Sequence, residues 1–199
     1  GGFSTVRDLR RGEGAFFSDM FGLCNIAGMS GRDFDKLLRA NGVEMNCAVS
    51  TSDTRLYGSA QSNRFVLTLK ALLSAANLRR PSVQAFDSWR RMELASLKPA
   101  YLDSLMYQDY NYSSVKTPTG LTARTLDVAS AFFDDQFIRA NDGVLVLLGD
   151  LSAESVQKTL CQYLGGFRVS KTQSVRQFNP YKLRSGGTGV QVKISSRAS

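Results

Sequence analysis

The sequence contains no histidine. A Ser-His-Asp or Cys-His nucleophile, a histidine general base and any zinc site built on imidazole are therefore excluded. Cysteine is scarce: Cys24, Cys47 and Cys161 form no Cys-x-x-Cys pair, and an odd count leaves at least one thiol free. Neither a disulfide framework nor a metal knuckle is indicated. There is no apolar run of about 18 residues, and no charged stretch followed by a short apolar one, so no membrane-spanning helix or leader is read within the chain. The start at Gly1-Gly2-Phe3, without methionine, reads as a processed or excised chain.

Acid is missing from one region. Through Glu154 there are 17 Lys+Arg and 17 Asp+Glu; after it there are 8 Lys+Arg and no acid, so the whole net charge of +8 lies in the last 45 residues. Such a segment suits nucleic acid, anionic lipid or an acidic partner surface. Arg168, Lys171, Arg176, Lys182 and Arg184 stand there beside Phe167, Phe178 and Tyr181. That mixture could pair phosphates and stack bases, which makes nucleic-acid or anionic-surface binding the alternative reading. No RNA-reading motif accompanies it, and the charges are scattered, as on a solvated face.

What is present describes an ordinary folded domain. At 199 residues, 43% hydrophobic, the chain can bury a sizeable core as a single domain. Residues 15–27 carry Phe16, Phe17, Met20, Phe21, Leu23, Cys24 and Ile26 around most of a helical circumference, which predicts a nearly buried helix stopped by Gly28. Ser30 caps a second helix with Phe34, Leu37 and Leu38 inward, closed by Asn41-Gly42. Val43, Met45, Cys47 and Val49 alternate, as do Leu56, Gly58 and Ala60, which predicts an antiparallel hairpin. Helical spacing returns over 63–78. Pro81 breaks it, and Ser82 caps a helix turning Val83, Phe86, Trp89, Met92 and Leu97 to the core.

Pro99 opens a third helical stretch, and the polar, tyrosine-rich residues 107–120 read as an exposed loop. Thr122 caps a helix through Phe137; residues 144–148 form an apolar run read as a strand buried on both faces; Ser152 caps a helix to Leu164. A last strand is expected at 190–194 after a glycine turn. The order predicts an α+β fold, a mixed and largely antiparallel sheet with helices layered on one face. Asp134-Asp135 point about 100° apart on a helix and are read as a solvated face, not a catalytic pair.

Several segments together resemble a known family. Residues 122–127 lead to Phe137-Ile138-Arg139-Ala140-Asn141; Val144-Leu145-Val146-Leu147-Leu148-Gly149-Asp150 follows, then Ser152-Ala153-Glu154 and Tyr163-Leu164-Gly165. With Ala27-Gly28-Met29-Ser30 ahead of Phe34-Asp35-Lys36-Leu37-Leu38, this order is similar to the insulinase or pitrilysin family of zinc peptidases. That family includes the mitochondrial processing peptidase. The resemblance spans residues 1–167, with 168–199 as a basic C-terminal segment carrying the last strand.

The resemblance implies a domain used in repeated copies, two per half, the halves closing around a chamber. Catalytic copies carry His-x-x-Glu-His on the first helix, with both imidazoles on one face binding zinc and the Glu activating a metal-bound water. Placed here, that motif falls on Phe16-Phe17-Ser18-Asp19-Met20: Phe16 and Met20 occupy the ligand positions and Asp19 that of the base. Glu93 is nearest to the third-ligand position. Two carboxylates without imidazole make a poor zinc site.

The resemblance therefore implies an inactive copy with no cofactor of its own, zinc residing in a separate catalytic domain. Its partners would be a catalytic half, in the same or another chain, and peptide substrate held partly by the basic segment. Gly1-Gly2 match glycines that follow the family's first strand, so an edge strand and a linker are expected outside this sequence. The resemblance selects no compartment; the periplasm or cell envelope and the mitochondrion both suit it.

Overall fold

The computed structural model describes residues 1–98, 110–138 and 143–164. The stretch opened by Pro99, the basic residues Arg168, Lys171, Arg176, Lys182 and Arg184, and the strand expected at 190–194 lie outside the described residues. Within them six α-helices and two antiparallel pairs of strands form an α+β domain, the expected class. No helix among the described residues is long and apolar enough to cross a membrane.

The first helix, α1 (Phe17–Gly22), follows a short 3-10 turn over Gly14–Phe16 and is shorter than its apolar pattern predicts. Strand pairing overrides the periodicity. Asn25–Ile26 (β1) pairs antiparallel with Arg79–Arg80 (β4). The chain then reverses at Ala27-Gly28, both with positive φ (50° and 83°), while Ile26 and Met29 exchange both backbone hydrogen bonds (2.9 and 3.0 Å). Two consecutive positive φ values are what a two-residue hairpin turn demands.

Helix α2 (Gly31–Ala40) starts where the Ser30 hydroxyl accepts from Asp33 N at 3.1 Å. Phe34 and Leu38 are buried, but Leu37 is half-exposed, contrary to expectation. The helix meets the body through Gly31, so the buried stripe centres on 31, 34 and 38 and turns 37 outward. A Cβ on Gly31 would collide with the carbonyl of Gly22 and lie 2.7 Å from that of Cys24. Both obstacles are backbone and cannot swing away. Gly31→Ala is expected to cost about 1–3 kcal/mol in urea unfolding, against about 1 kcal/mol gained where an exposed helical glycine is replaced.

Strands β2 (Val43–Val49) and β3 (Thr54–Ala60) form the predicted hairpin, with Met45 opposite Gly58 and Cys47 opposite Leu56. Met45, Cys47, Val49 and Leu56 pack against the core; Glu44, Asn46, Arg55, Tyr57 and Ser59 are exposed. Among the described residues helices therefore cover one face and leave the other, polar face open. Gly58 lets α3 (Phe65–Asn77) approach: a Cβ there would lie 3.1 Å from Thr68 Cγ2.

Helix α4 (Val83–Ser96) is capped by Ser82, whose hydroxyl accepts from Ala85 N at 3.3 Å. Phe86 is buried, whereas Val83 and Met92 are exposed, a correction to the expected inward set. The inward stripe runs through 86, 89 and 93 instead, at spacings of three and four. Helix α5 (Ala123–Phe133) passes into one π-helical stretch, Asp134–Ile138, and α6 (Ala153–Leu164) is capped by Ser152, whose hydroxyl accepts from Ser155 N at 3.2 Å.

Two further expectations fail. The described part of the 107–120 loop is exposed only in part: Asn111, Ser114, Pro118 and Thr119 are exposed, but Tyr110, Ser113 and Val115 are buried. The segment is tied to the N-terminal residues, Tyr112 Oη donating to the Val6 carbonyl and Thr117 Oγ1 to that of Arg11, both at 2.9 Å. The apolar run 144–148 is not a buried strand: Val144 is 86% and Leu148 91% exposed. No strand is hydrogen-bonded to it among the described residues, and an unpaired apolar backbone gains nothing by burial.

The core is strongly aromatic. Phe17 packs on Phe132 (ring centroids 5.0 Å apart), and Phe21 meets Phe133 edge-on at 5.3 Å. The Arg79 guanidinium is buried among Phe21, Phe133 and Phe137, 5.0 Å from the Phe133 centroid, with Nη2 2.6 Å from Asp134 Oδ1. Asp134 is thus an ion-pair partner.

Candidate functional site

Phe16, Asp19 and Met20 have the spacing of one helical face, and they stand at the start of α1 beneath α4. Phe16 and Met20 are fully buried. From α4, Trp89 meets Phe16 edge-on at 6.2 Å, and Glu93, one turn further, reaches the same place. Asp19 and Glu93 converge although 74 positions separate them.

What joins them is Lys116. Its Nζ lies 2.8 Å from Asp19 Oδ2 and 2.9 Å from Glu93 Oε1, and 5.3 Å from the Phe16 ring centroid. All three charged side chains are partly shielded, the lysine and Asp19 at 36% exposure and Glu93 at 21%. Burial works to lower the lysine's pKa, but hydrogen bonds and charge from Asp19 and Glu93 outweigh it and hold the ammonium above the ordinary lysine value. The Phe16 ring faces a cation, as an aromatic face favours.

The backbone carrying Lys116 is fixed. Thr117 Oγ1 reaches the Arg11 carbonyl, and Gly12 (φ 73°) and Gly120 lie so close that a Cβ on Gly120 would be 2.6 Å from Gly12 C. Behind α1, buried Glu13 accepts from Arg124 Nη1 at 3.0 Å and from Arg10 N at 3.0 Å.

These residues do not fit a zinc ion. Phe16 and Met20 place a ring and a thioether where nitrogen donors would be needed, and both available carboxylates already hold an ammonium. Of the positions singled out from sequence, the fold brings Phe16, Asp19, Met20 and Glu93 together. It adds Lys116, which sequence reasoning missed because a lone lysine in an aperiodic loop carries no pattern.

A second feature lies beside α1. The hairpin ladder closes with Ser50 N donating to Asp53 O at 2.8 Å, so Val49, Cys47, Met45 and Val43 direct their backbone groups away from β3. At Val49 this edge is closed by Ser18, whose Oγ accepts from Val49 N at 2.9 Å. Next to Met45 and Cys47 it borders a cavity of about 330 Å³ lined also by Ser18, Arg32, Asp35 and Asn46. Such an edge with polar groups near it can receive an extended peptide.

No family model and no curated protein matches this sequence. Among solved structures the fold is similar to that of the periplasmic protease PqqL from Escherichia coli, with a TM-score of 0.65 and 16% identity. The match covers 88% of this chain and 21% of that one, so the chain spans about one fifth of that protease's length. The likeness is one of fold, consistent with the insulinase-like α+β fold expected from the sequence.

Proposed function

We propose that this chain is a non-catalytic peptidase-like domain that helps to wall a substrate chamber and packs against a catalytic half. The observation that carries the reading is the Lys116 ammonium held between Asp19 and Glu93, with Phe16 and Met20 closing the remaining sides. A fixed internal cation engages both carboxylates, the group keeping a net charge of −1, and stands where a metal would have to sit to activate water. The domain needs no cofactor of its own; zinc belongs to the catalytic half. Peptide would lie along the edge of β2 beside Met45 and Cys47 by backbone pairing, and Arg168, Lys171, Arg176, Lys182 and Arg184 would attract its carboxylates.

The test uses the purified chain with fluorescent, internally quenched peptides, with and without added zinc. Binding seen as raised anisotropy, without cleavage in either condition, is the expected result. Turnover that tracks stoichiometric zinc overturns the reading, and so does the absence of any peptide binding at low salt.

The ion triad itself is open to a double-mutant cycle. Lys116→Met is expected to destabilise by about 1–2 kcal/mol, a modest figure because all three groups retain some solvent. In Glu93→Gln the same change should cost measurably less, giving a coupling of about 0.5–1 kcal/mol in urea melts. Additive effects would show that Lys116 does not hold the two helices together.

A further inference from the structure

The edge of β2 that borders the cavity of about 330 Å³ is closed at one end and open beside Met45 and Cys47. Helix α2 and β2 pack together across the two-residue turn Asn41-Gly42, so they run in opposite directions. The start of α2 therefore stands beside the far end of β2. There Gly31, tight against the carbonyl of Gly22, and Arg32 line the cavity together with Ser18.

Ser18 takes the place of a strand residue at this end. Its Oγ accepts from Val49 N at 2.9 Å and lies 3.4 Å from Val49 O, so both outward backbone groups of Val49 are engaged. Those of Met45 and Cys47 have no hydrogen-bond partner among the described residues. A segment added to this edge has to stop opposite Cys47.

The uncommitted charge at the closed end is positive. Asp35 holds Arg39 Nε at 2.8 Å, and Asp33 is engaged by the Ser30 hydroxyl at 2.7 Å and by Lys36 Nζ at 3.7 Å. Arg32 is exposed and forms no salt bridge among the described residues. A free guanidinium suits a carboxylate, which it can hold by two parallel hydrogen bonds.

We propose that this end of the cavity receives the free C-terminus of a peptide. This rests on the reading that peptide lies along β2, and adds which part of it is held and in which direction. The peptide runs parallel to β2 and pairs with Met45 and Cys47; its last residue stops against Ser18, and its terminal carboxylate meets Arg32. Side chains of the last residue and of the one two before it share the face of Met45 and Cys47, and enter the cavity over Phe21, Ile26, Phe34 and Leu38. The occupant is thus a C-terminus with apolar residues at those two positions. An N-terminal ammonium in the same place would face Arg32 and find Asp33 and Asp35 already engaged.

The test uses the purified chain and five-residue peptides, labelled at the N-terminus and ending leucine-serine-leucine, with binding read by anisotropy. Amidating the C-terminus is expected to weaken binding about fivefold or more, the loss of one charge-assisted contact open to solvent. Arg32→Gln, at an exposed position, should weaken the free acid by the same factor and leave the amide unchanged. Replacing both leucines by serine should weaken binding about tenfold or more. Equal binding of acid and amide by the unaltered chain overturns the inference while the peptide reading stands. A loss on amidation that persists in Arg32→Gln puts the carboxylate elsewhere and overturns it as well, and unchanged affinity of the serine peptide overturns the placement in the cavity. No binding by any of the peptides overturns the peptide reading and this inference with it.

Discussion

Phe16→Ala is expected to cost about 3–5 kcal/mol, most of the stability of a domain this size. Phe16 is fully buried, edge-on to Trp89 at 6.2 Å, and carries the Lys116 ammonium 5.3 Å from its ring centroid. Truncation leaves a cavity between α1 and α4, beside Trp89 and Lys116, which packed surroundings close only in part. It also removes the ring beneath a cation. Phe16→Leu, which keeps most of the volume, is expected to lose clearly less. Urea unfolding of both variants decides the matter: an alanine variant within about 1 kcal/mol of wild type would mean that Phe16 is a wall residue facing open space and not part of the core.

Stability should also fall steeply at alkaline pH, for a reason unrelated to the lysines. Burial raises the Cys24 thiol from 9.0 to about 11, partly opposed by Arg79, with Asp134 adding to the rise. It raises Cys47 to about 12, again against Arg79, with Cys24 adding to the rise. In the unfolded chain both thiols ionise near 9.0. Above that pH the unfolded state binds fewer protons than the native state, so unfolding becomes easier as pH rises. The contribution is fully present below pH 9 and is lost up to about 11 for Cys24 and about 12 for Cys47. The loss is about 1.4 kcal/mol per pH unit for each thiol.

Lys116 acts in the same direction but only from higher pH. Its stabilisation is complete below its ordinary value of 10.5 and is lost as pH passes its raised one. The window from pH 9 to 10.5 therefore separates the cysteines from Lys116. Cys24→Ala/Cys47→Ala should flatten the decline in that window, measured by urea melts at closely spaced pH. An unchanged slope would show that the thiols are not held neutral by the fold. At about pH 8 a thiol reagent should label exposed Cys161 quickly and the other two only after unfolding.

Much of the architecture was legible from local pattern. Ser30 and Ser82 cap the helices they were expected to cap, and strict alternation in Val43, Met45, Cys47 and Val49 gives the strand and its hairpin. These features are set within a few residues, where propensity and periodicity act. Exposure at Leu37, Val83 and Met92 was misread because an apolar residue near a helical stripe counts as inward until the contact line of that helix is known. Helix α1 ended early because Asn25 and Ile26 found strand partners at Arg79 and Arg80, far along the chain.

The sequence by itself determined the absence of imidazole, the apolar identity of Phe16 and Met20, the carboxylates Asp19 and Glu93, and the helix and hairpin segments that carry them. Only the tertiary structure decided that a lysine from an aperiodic loop stands between those carboxylates, that Arg79 is buried among three rings, and that the 143–148 run lies across an open groove from β3. Periodicity reports which side of a segment is apolar. It carries no information on which distant segment will bring an opposite charge or a free backbone edge within hydrogen-bonding distance.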